Sequence, residues 1–141
     1  MNEDIQAVAS RLMRSQDVTL RRPLRKRLYI GQLTAVGTTL YTAPSAPTTA
    51  NALGINPLAA IETIWLCNTD TAARTVTLYV VESGGSAADN RAVAKDLSIP
   101  AKSSIELSPA GGFLLEASDT LRGLADTTLK VTVLVTGTEF V

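Results

Sequence analysis

The 141-residue chain has no histidine, one cysteine (Cys67) and six aromatic residues: Tyr29, Tyr41, Trp65, Tyr79, Phe113 and Phe140. Each scarcity removes a class of chemistry. Without histidine there is no Ser-His-Asp triad and no imidazole-held metal. One cysteine permits neither an intrachain disulfide nor a Cys-rich zinc site. No apolar run approaches the ~20 residues of a membrane-spanning helix. The first residues lack the basic-then-apolar order of a signal peptide, which reads as a cytoplasmic start. Net charge is missing too, since 13 Lys and Arg balance 13 Asp and Glu. This inventory is poor for an enzyme, and no catalytic residue, cofactor or metal is expected.

Threonine is abundant, at 18 residues. Together with Val and Ile it makes a sheet composition, because branched side chains fit a pleated surface. The balanced charge hides an asymmetry. Residues 1–27 carry a net charge of +4 and residues 28–141 a net charge of −4. Periodicity changes at the same place, so the chain reads as an N-terminal arm (1–27) followed by a sandwich domain (28–141).

The arm opens on a helical stripe: Ile5, Val8, Ala9, Leu12 and Met13 recur at i, i+3, i+4, i+7 and i+8. Asn2 fits as N-cap, with Glu3 and Asp4 in the first turn and Arg11 and Arg14 toward the end. A helix this short barely repays nucleation in water, because lengths below ~12–15 residues are marginal. It therefore needs a surface to pack on, either its own body or another subunit. Asp17 to Arg27 follows, with Arg21, Arg22, Arg25, Lys26 and Arg27 around Pro23. Proline breaks a helix and pushes its predecessor toward extended geometry. The segment reads as an extended basic strap against an acidic surface. Nucleic acid is not the expected partner, because no aromatics interleave for base stacking and no groove-reading motif is present. A membrane surface is not expected either: the stripe lacks Trp and Phe, and the cations lie mostly beyond it. The residues expected to dock the arm on a partner are Ile5, Val8, Leu12, Met13, Arg21, Arg22, Arg25, Lys26 and Arg27.

From Leu28 onward, short apolar runs are punctuated by Gly, Pro, Ser, Asn and Asp. Strands are expected over 28–34, 37–43, 60–68, 74–82, 92–99, 102–107, 112–117, 119–124 and 128–139. In 74–82, Val76, Leu78 and Val80 face one way, while Thr75, Thr77, Tyr79 and Val81 face the other. In 128–139, Val131, Val133 and Val135 oppose Thr132, Leu134 and Thr136. The second face is more apolar than solvent requires, so Tyr79, Val81 and Leu134 are expected self-association residues. Eight or nine short strands without helical pattern between them imply an all-β antiparallel β-sandwich, jelly-roll-like. Asn68-Thr69-Asp70-Thr71 is expected to turn a hairpin. Ser83-Gly84-Gly85-Ser86 opens a flexible excursion to Arg91, and Pro100-Ala101-Lys102 makes a tight connection. The link from Ala43 to Ala59 runs over the surface.

No side-chain constellation carries chemistry. Cys67 reads as a small hydrophobe and Trp65 as a core or interface anchor. The Gly-Ser loop lacks the Lys-Ser/Thr ending of a phosphate loop. The pairs Asp89 and Asp96, Asp119 and Asp126, and Glu116 and Asp119 read as solvated turn charges rather than calcium ligands or an acid/base pair. Function is expected to lie in surfaces.

One stretch resembles a known family. It contains Asn68-Thr69-Asp70, then Val76-Thr77-Leu78-Tyr79-Val80-Val81, then Ser83-Gly84-Gly85-Ser86-Ala87. Ala94-Lys95-Asp96-Leu97-Ser98-Ile99-Pro100-Ala101 and Leu115-Glu116-Ala117-Ser118-Asp119-Thr120-Leu121-Arg122 complete it. From Ile61 to Gly123 this order resembles small β-sandwich virion structural proteins of tailed bacteriophages. The resemblance implies a virion component made in the host bacterial cytoplasm, namely a capsid-attached decoration, head-fibre or minor capsid protein. It would self-associate, with a homotrimer favoured. The arm lies ahead of the matched stretch, and its expected docking on the major capsid protein or another virion protein rests on its apolar stripe and charge alone. A tail, tail-fibre or baseplate component is the alternative. A carbohydrate-binding sandwich is the alternative from another class, though sugar platforms usually need more exposed aromatics than six leave to spare.

Overall fold

The computed structural model describes residues 23–45 and 58–140. Nine strands run through them: β1 Pro23–Gln32, β2 Thr38–Thr42, β3 Ala59–Asn68, β4 Arg74–Val81, β5 Ala92–Ile99, β6 Ser104–Leu107, β7 Phe113–Leu115, β8 Thr120–Ala125 and β9 Val131–Phe140. One 3-10 turn, Asp89–Arg91, leads into β5. The helix expected near the start, with Ile5, Val8, Leu12, Met13, Arg21 and Arg22, lies outside the described residues, as does most of the link from 43 to 59.

The first sheet has the order β1-β9-β3-β6, with β7 also on β3, and the second has the order β2-β8-β4-β5. β6 pairs with the end of β3 and β7 with its beginning, so the two act as one interrupted strand. Counted that way, the first strand pairs with the last, the second with the last but one, the third with the sixth and the fourth with the fifth. All pairs are antiparallel, and successive pairs alternate between sheets. A long hairpin rolled upon itself gives this nesting, which makes the sandwich a jelly roll.

Alternation explains which side chains fill the space between the sheets. Ile64 and Leu66 of β3 and Val131, Val133 and Val135 of β9 point inward from the first sheet. Val76 and Leu78 of β4 and Leu121 of β8 meet them from the second. Each such burial stabilises by roughly 1.5–3 kcal/mol before chain entropy is subtracted.

Two expectations are corrected. The expected boundary at Arg27 falls inside a strand, because β1 begins at Pro23 and pairs with β9 through Arg25, Lys26 and Arg27. Proline is tolerated at the first position of an edge strand, where its missing N–H breaks no ladder bond. Alternation then sends Arg25 to the outer face, where it pairs with Glu62 at 3.0 Å. Lys26 pairs with Glu139 of β9. The expected hairpin over Asn68–Thr71 is also absent, since β3 and β4 lie in different sheets. The turn chemistry is real, but it carries the chain across the sandwich. Asn68 is fully buried at this crossing. Its amide donates to the carbonyls of Ala72 (2.9 Å), Ile99 (3.0 Å) and Pro100 (3.2 Å), and its oxygen accepts from the Asp70 N–H at 3.0 Å.

A second polar tie joins the sheets elsewhere. Tyr41 Oη, on β2, donates to Glu139 Oε2 at 2.5 Å, while Lys26 holds the other carboxylate oxygen. Burial pushes the Glu139 carboxyl up, but the bonds from Lys26 and Tyr41 outweigh it and hold the group below the usual carboxylate range. Burial and the adjacent carboxylate push the Tyr41 phenol up. A carboxyl depressed in the folded state contributes stability above its unfolded pKa of about 4.3, and that stability is lost as pH falls through the folded value. Glu139→Gln should therefore cost about 1–2 kcal/mol at neutral pH and flatten the acid limb of the stability curve below about pH 4.3. Urea titrations of both proteins across that range check the sign.

Candidate interaction surface

The outer face of the first sheet follows from the same alternation. β-strand register places Ile30 of β1 beside Leu134 of β9, Leu134 beside Trp65 of β3, and Trp65 beside Glu106 of β6. This row crosses four strands. Ile30 is 55% exposed and Trp65 42% exposed, with Leu134 half-buried between them. On one side lies Thr132 beside Cys67, with Gln32 and Ser104 at the edges. On the other lie Arg27, Thr136 and Thr63.

Farther along the same face, Pro23, Ala60, Glu62, Leu114, Thr138 and Phe140 line an open groove of about 550 Å³. Leu114 is 58% exposed at its rim. Thr138 donates its hydroxyl to Glu62 Oε1 at 2.6 Å, while Arg25 holds Oε2. The groove's carboxylate is thus already committed to in-chain partners. Gly112 has φ +75°, and a Cβ there would lie 2.7 Å from the Ile61 carbonyl oxygen, so glycine lets the 108–112 turn close over β3.

The expected self-association residues divide. Leu134 is on this outer face, as alternation predicted. Tyr79 and Val81 are corrected: they are only 8% and 1% exposed and are already covered within the chain, although neither belongs to the inter-sheet core cluster. They offer no open surface. Alternation alone missed Ile30, and it left Trp65 undecided between core and interface anchor. Trp65 had a readable signal, since it alternates with Ile64 and Leu66, and an indole opposite those core residues must face outward. Ile30 had none, because a bulge between Arg27 and Tyr29 resets the facing of β1. Cys67 is a free, half-buried thiol on the outer face rather than a core residue.

Among the carboxylates read from the sequence as turn charges, Asp119 is tied into the fold, and two carboxylates outside that set, Asp70 and Glu82, are held by arginines. Asp119 accepts from the backbone N–H groups of Ser83 (3.0 Å) and Glu116 (2.9 Å). Asp70 accepts from Arg74 Nε at 2.8 Å, and the guanidinium holds its carboxyl low. Glu82 is held low by its bond from Arg91. Among the described residues, no three His, Cys, Asp or Glu side chains group as metal ligands. No helix among them is long and apolar enough to cross a membrane. The outer face can bury apolar area and pair charge against another flat surface.

No family model matches the chain, and no curated protein does. Among solved structures it is similar to a chain of the Bacillus endospore appendages, a family of disulfide-linked pili. The identity is 14%, covering 85% of this chain and 88% of that one, with a TM-score of 0.46. It is also similar to a chain of infectious bursal disease virus, Gx strain. There the identity is 16%, covering 86% of this chain and 34% of that one, with a TM-score of 0.47. This chain therefore spans about a third of the viral chain's length.

Proposed function

We propose that the chain is a non-catalytic structural protein of a bacteriophage virion, a capsid-attached decoration or minor capsid protein that self-associates, with three copies favoured. The observation that carries the reading is the outer face of the first sheet, where an apolar row from Ile30 to Trp65 faces outward on a rigid sandwich. The family resemblance between Ile61 and Gly123 supports it. Its pieces fall on β4, β5, β7, β8 and the loops joining them.

Attachment is assigned to the segment ahead of β1. Lys26 no longer belongs to the docking set, because its ammonium is already paired with Glu139 of β9. Leu12→Asp should leave the sandwich folded and abolish binding to particles, as seen by co-sedimentation with purified virions. Electron cryomicroscopy of virions from the phage carrying this gene tests the placement. Sandwich density on the head lattice is the expected result. Density on the tail or fibres would favour the alternative, and absence from particles would overturn the reading.

A further inference from the structure

The charges on the outer face of the first sheet are unevenly satisfied. Arg25 is paired with Glu62 there. Arg27 has no ion-pair partner among the described residues, and Glu106 accepts only the Ser108 hydroxyl, at 2.8 Å. Arg27 belongs to β1, at one edge of the sheet, and Glu106 to β6, at the other. Two strands lie between them, a separation of about 14 Å at ~4.8 Å per strand. That is too far for the two side chains of one copy to meet.

A face with an unpaired cation at one edge, an unpaired anion at the other and an apolar row between is complementary to itself. We propose that copies of this chain meet on it. Arg27 of one copy pairs with Glu106 of the next, and Ile30, Leu134 and Trp65 close the space between. Setting the β1 edge of one copy against the β6 edge of another satisfies both charges in a two-fold pair, two copies rather than the three favoured above. The Thr-rich flanks are flat enough to lie against a second sheet about 10 Å away. Four strands at ~4.8 Å spacing and about 33 Å length offer roughly 600 Å² per copy, near the lower end for specific assembly. A nucleic acid would need concentrated cations without Glu106 and Glu62, and a bilayer surface would reject those carboxylates.

The proposal deepens the self-association part of the proposed function and rests on it. Sedimentation equilibrium of the full chain at tens of micromolar should report an oligomer. Trp65→Glu should give a monomer that still unfolds cooperatively, because the indole points out of the core. Arg27→Glu and Glu106→Arg should each weaken association about tenfold, and the double variant should recover to within about threefold. A native monomer at ~100 µM, an oligomer indifferent to Trp65→Glu, or a double variant no better than the singles would overturn the surface. A monomer still found in virions would refute this surface and leave the virion reading standing. An oligomer with the charge-swap rescue but absent from virions would do the reverse.

Discussion

Asn68→Ala should cost the sandwich about 4 kcal/mol, a quarter or more of a typical domain's stability of about 5–15 kcal/mol. The side chain sits where β3 of the first sheet hands over to β4 of the second, and it is fully buried. Its amide satisfies carbonyls from two other places, Ala72 in the crossing turn and Ile99 and Pro100 at the end of β5. Truncation removes this donor from the Ala72 and Ile99 carbonyls and the acceptor from the Asp70 N–H, while Pro100 keeps the Ser103 N–H at 3.3 Å; each unsatisfied buried group costs about 1–3 kcal/mol, moderated where water enters. Asn68→Asp separates shape from hydrogen bonding. It keeps the outline of the side chain but turns a donor toward three carbonyl oxygens into an acceptor. An ionised carboxylate at that position would be disfavoured in the fold, so its folded pKa would lie above the unfolded value of about 3.9. Stability of that variant must then fall as pH rises from about 3.9 through the raised folded value. The Glu139 effect has the opposite sign. Thermal melts of native chain and variant at pH 4 and pH 7 should show the gap between them widening toward neutrality. Equal gaps at both pH values would mean that the amide donors are not what holds the crossing.

The strands themselves are legible because their signal is local. In β4 and β9, Val76, Leu78, Val131, Val133 and Val135 alternate with Thr, and turn residues bracket each run. The partner of each strand is a non-local matter. Asn68-Thr69-Asp70-Thr71 looks the same whether the chain folds back beside itself or crosses to the other sheet, so the hairpin reading failed there. The arm was misjudged for a related reason. Pro23 and the cations after it disguise a strand whose ladder to β9, and whose Lys26–Glu139 ion pair, join residues more than a hundred positions apart.

The candidate surface was legible in part. Leu134 could be placed on an outer face from its own strand. Tyr79 and Val81 had the same local pattern but are covered in the folded chain. Burial depends on what packs above a sheet, and alternation says only which side is up. The row from Ile30 through Leu134 and Trp65 to Glu106 emerges only when the register of β1, β9, β3 and β6 is known. None of those strands is adjacent in sequence to its neighbour in the sheet.

Gly137→Ala should destabilise by about 3 kcal/mol, at the upper end of what overpacking in a core usually costs. Gly137 lies in β9, which is hydrogen-bonded on both sides, opposite Lys26 of β1 and Ile61 of β3. Both neighbours shift register beside it, β1 between Arg27 and Tyr29 and β3 between Ile61 and Thr63. Each shift places an extra residue on the strand flanking β9, and the sheet bends where the two coincide. The bend brings β3 onto β9: a Cβ on residue 137 would overlap the Ala60 carbonyl oxygen and lie 2.9 Å from Leu28 Cδ1. Leu28 could give way by a rotamer change, but the carbonyl is backbone, fixed by the ladder on its own strand. Relief requires β3 and β9 to separate, which strains the ladder through Ile61 and Ala60 and disturbs the core behind it. Gly37 provides the control. A Cβ there would come no closer than 4.0 Å, to Leu124 Cδ2, so Gly37→Ala should change stability by about 0.5 kcal/mol or less, or raise it slightly by restricting the unfolded chain. Urea denaturation of the two variants decides the matter. A Gly137→Ala protein as stable as Gly37→Ala would mean that the paired bulges, and with them the register that aligns Ile30, Leu134 and Trp65, are wrongly placed.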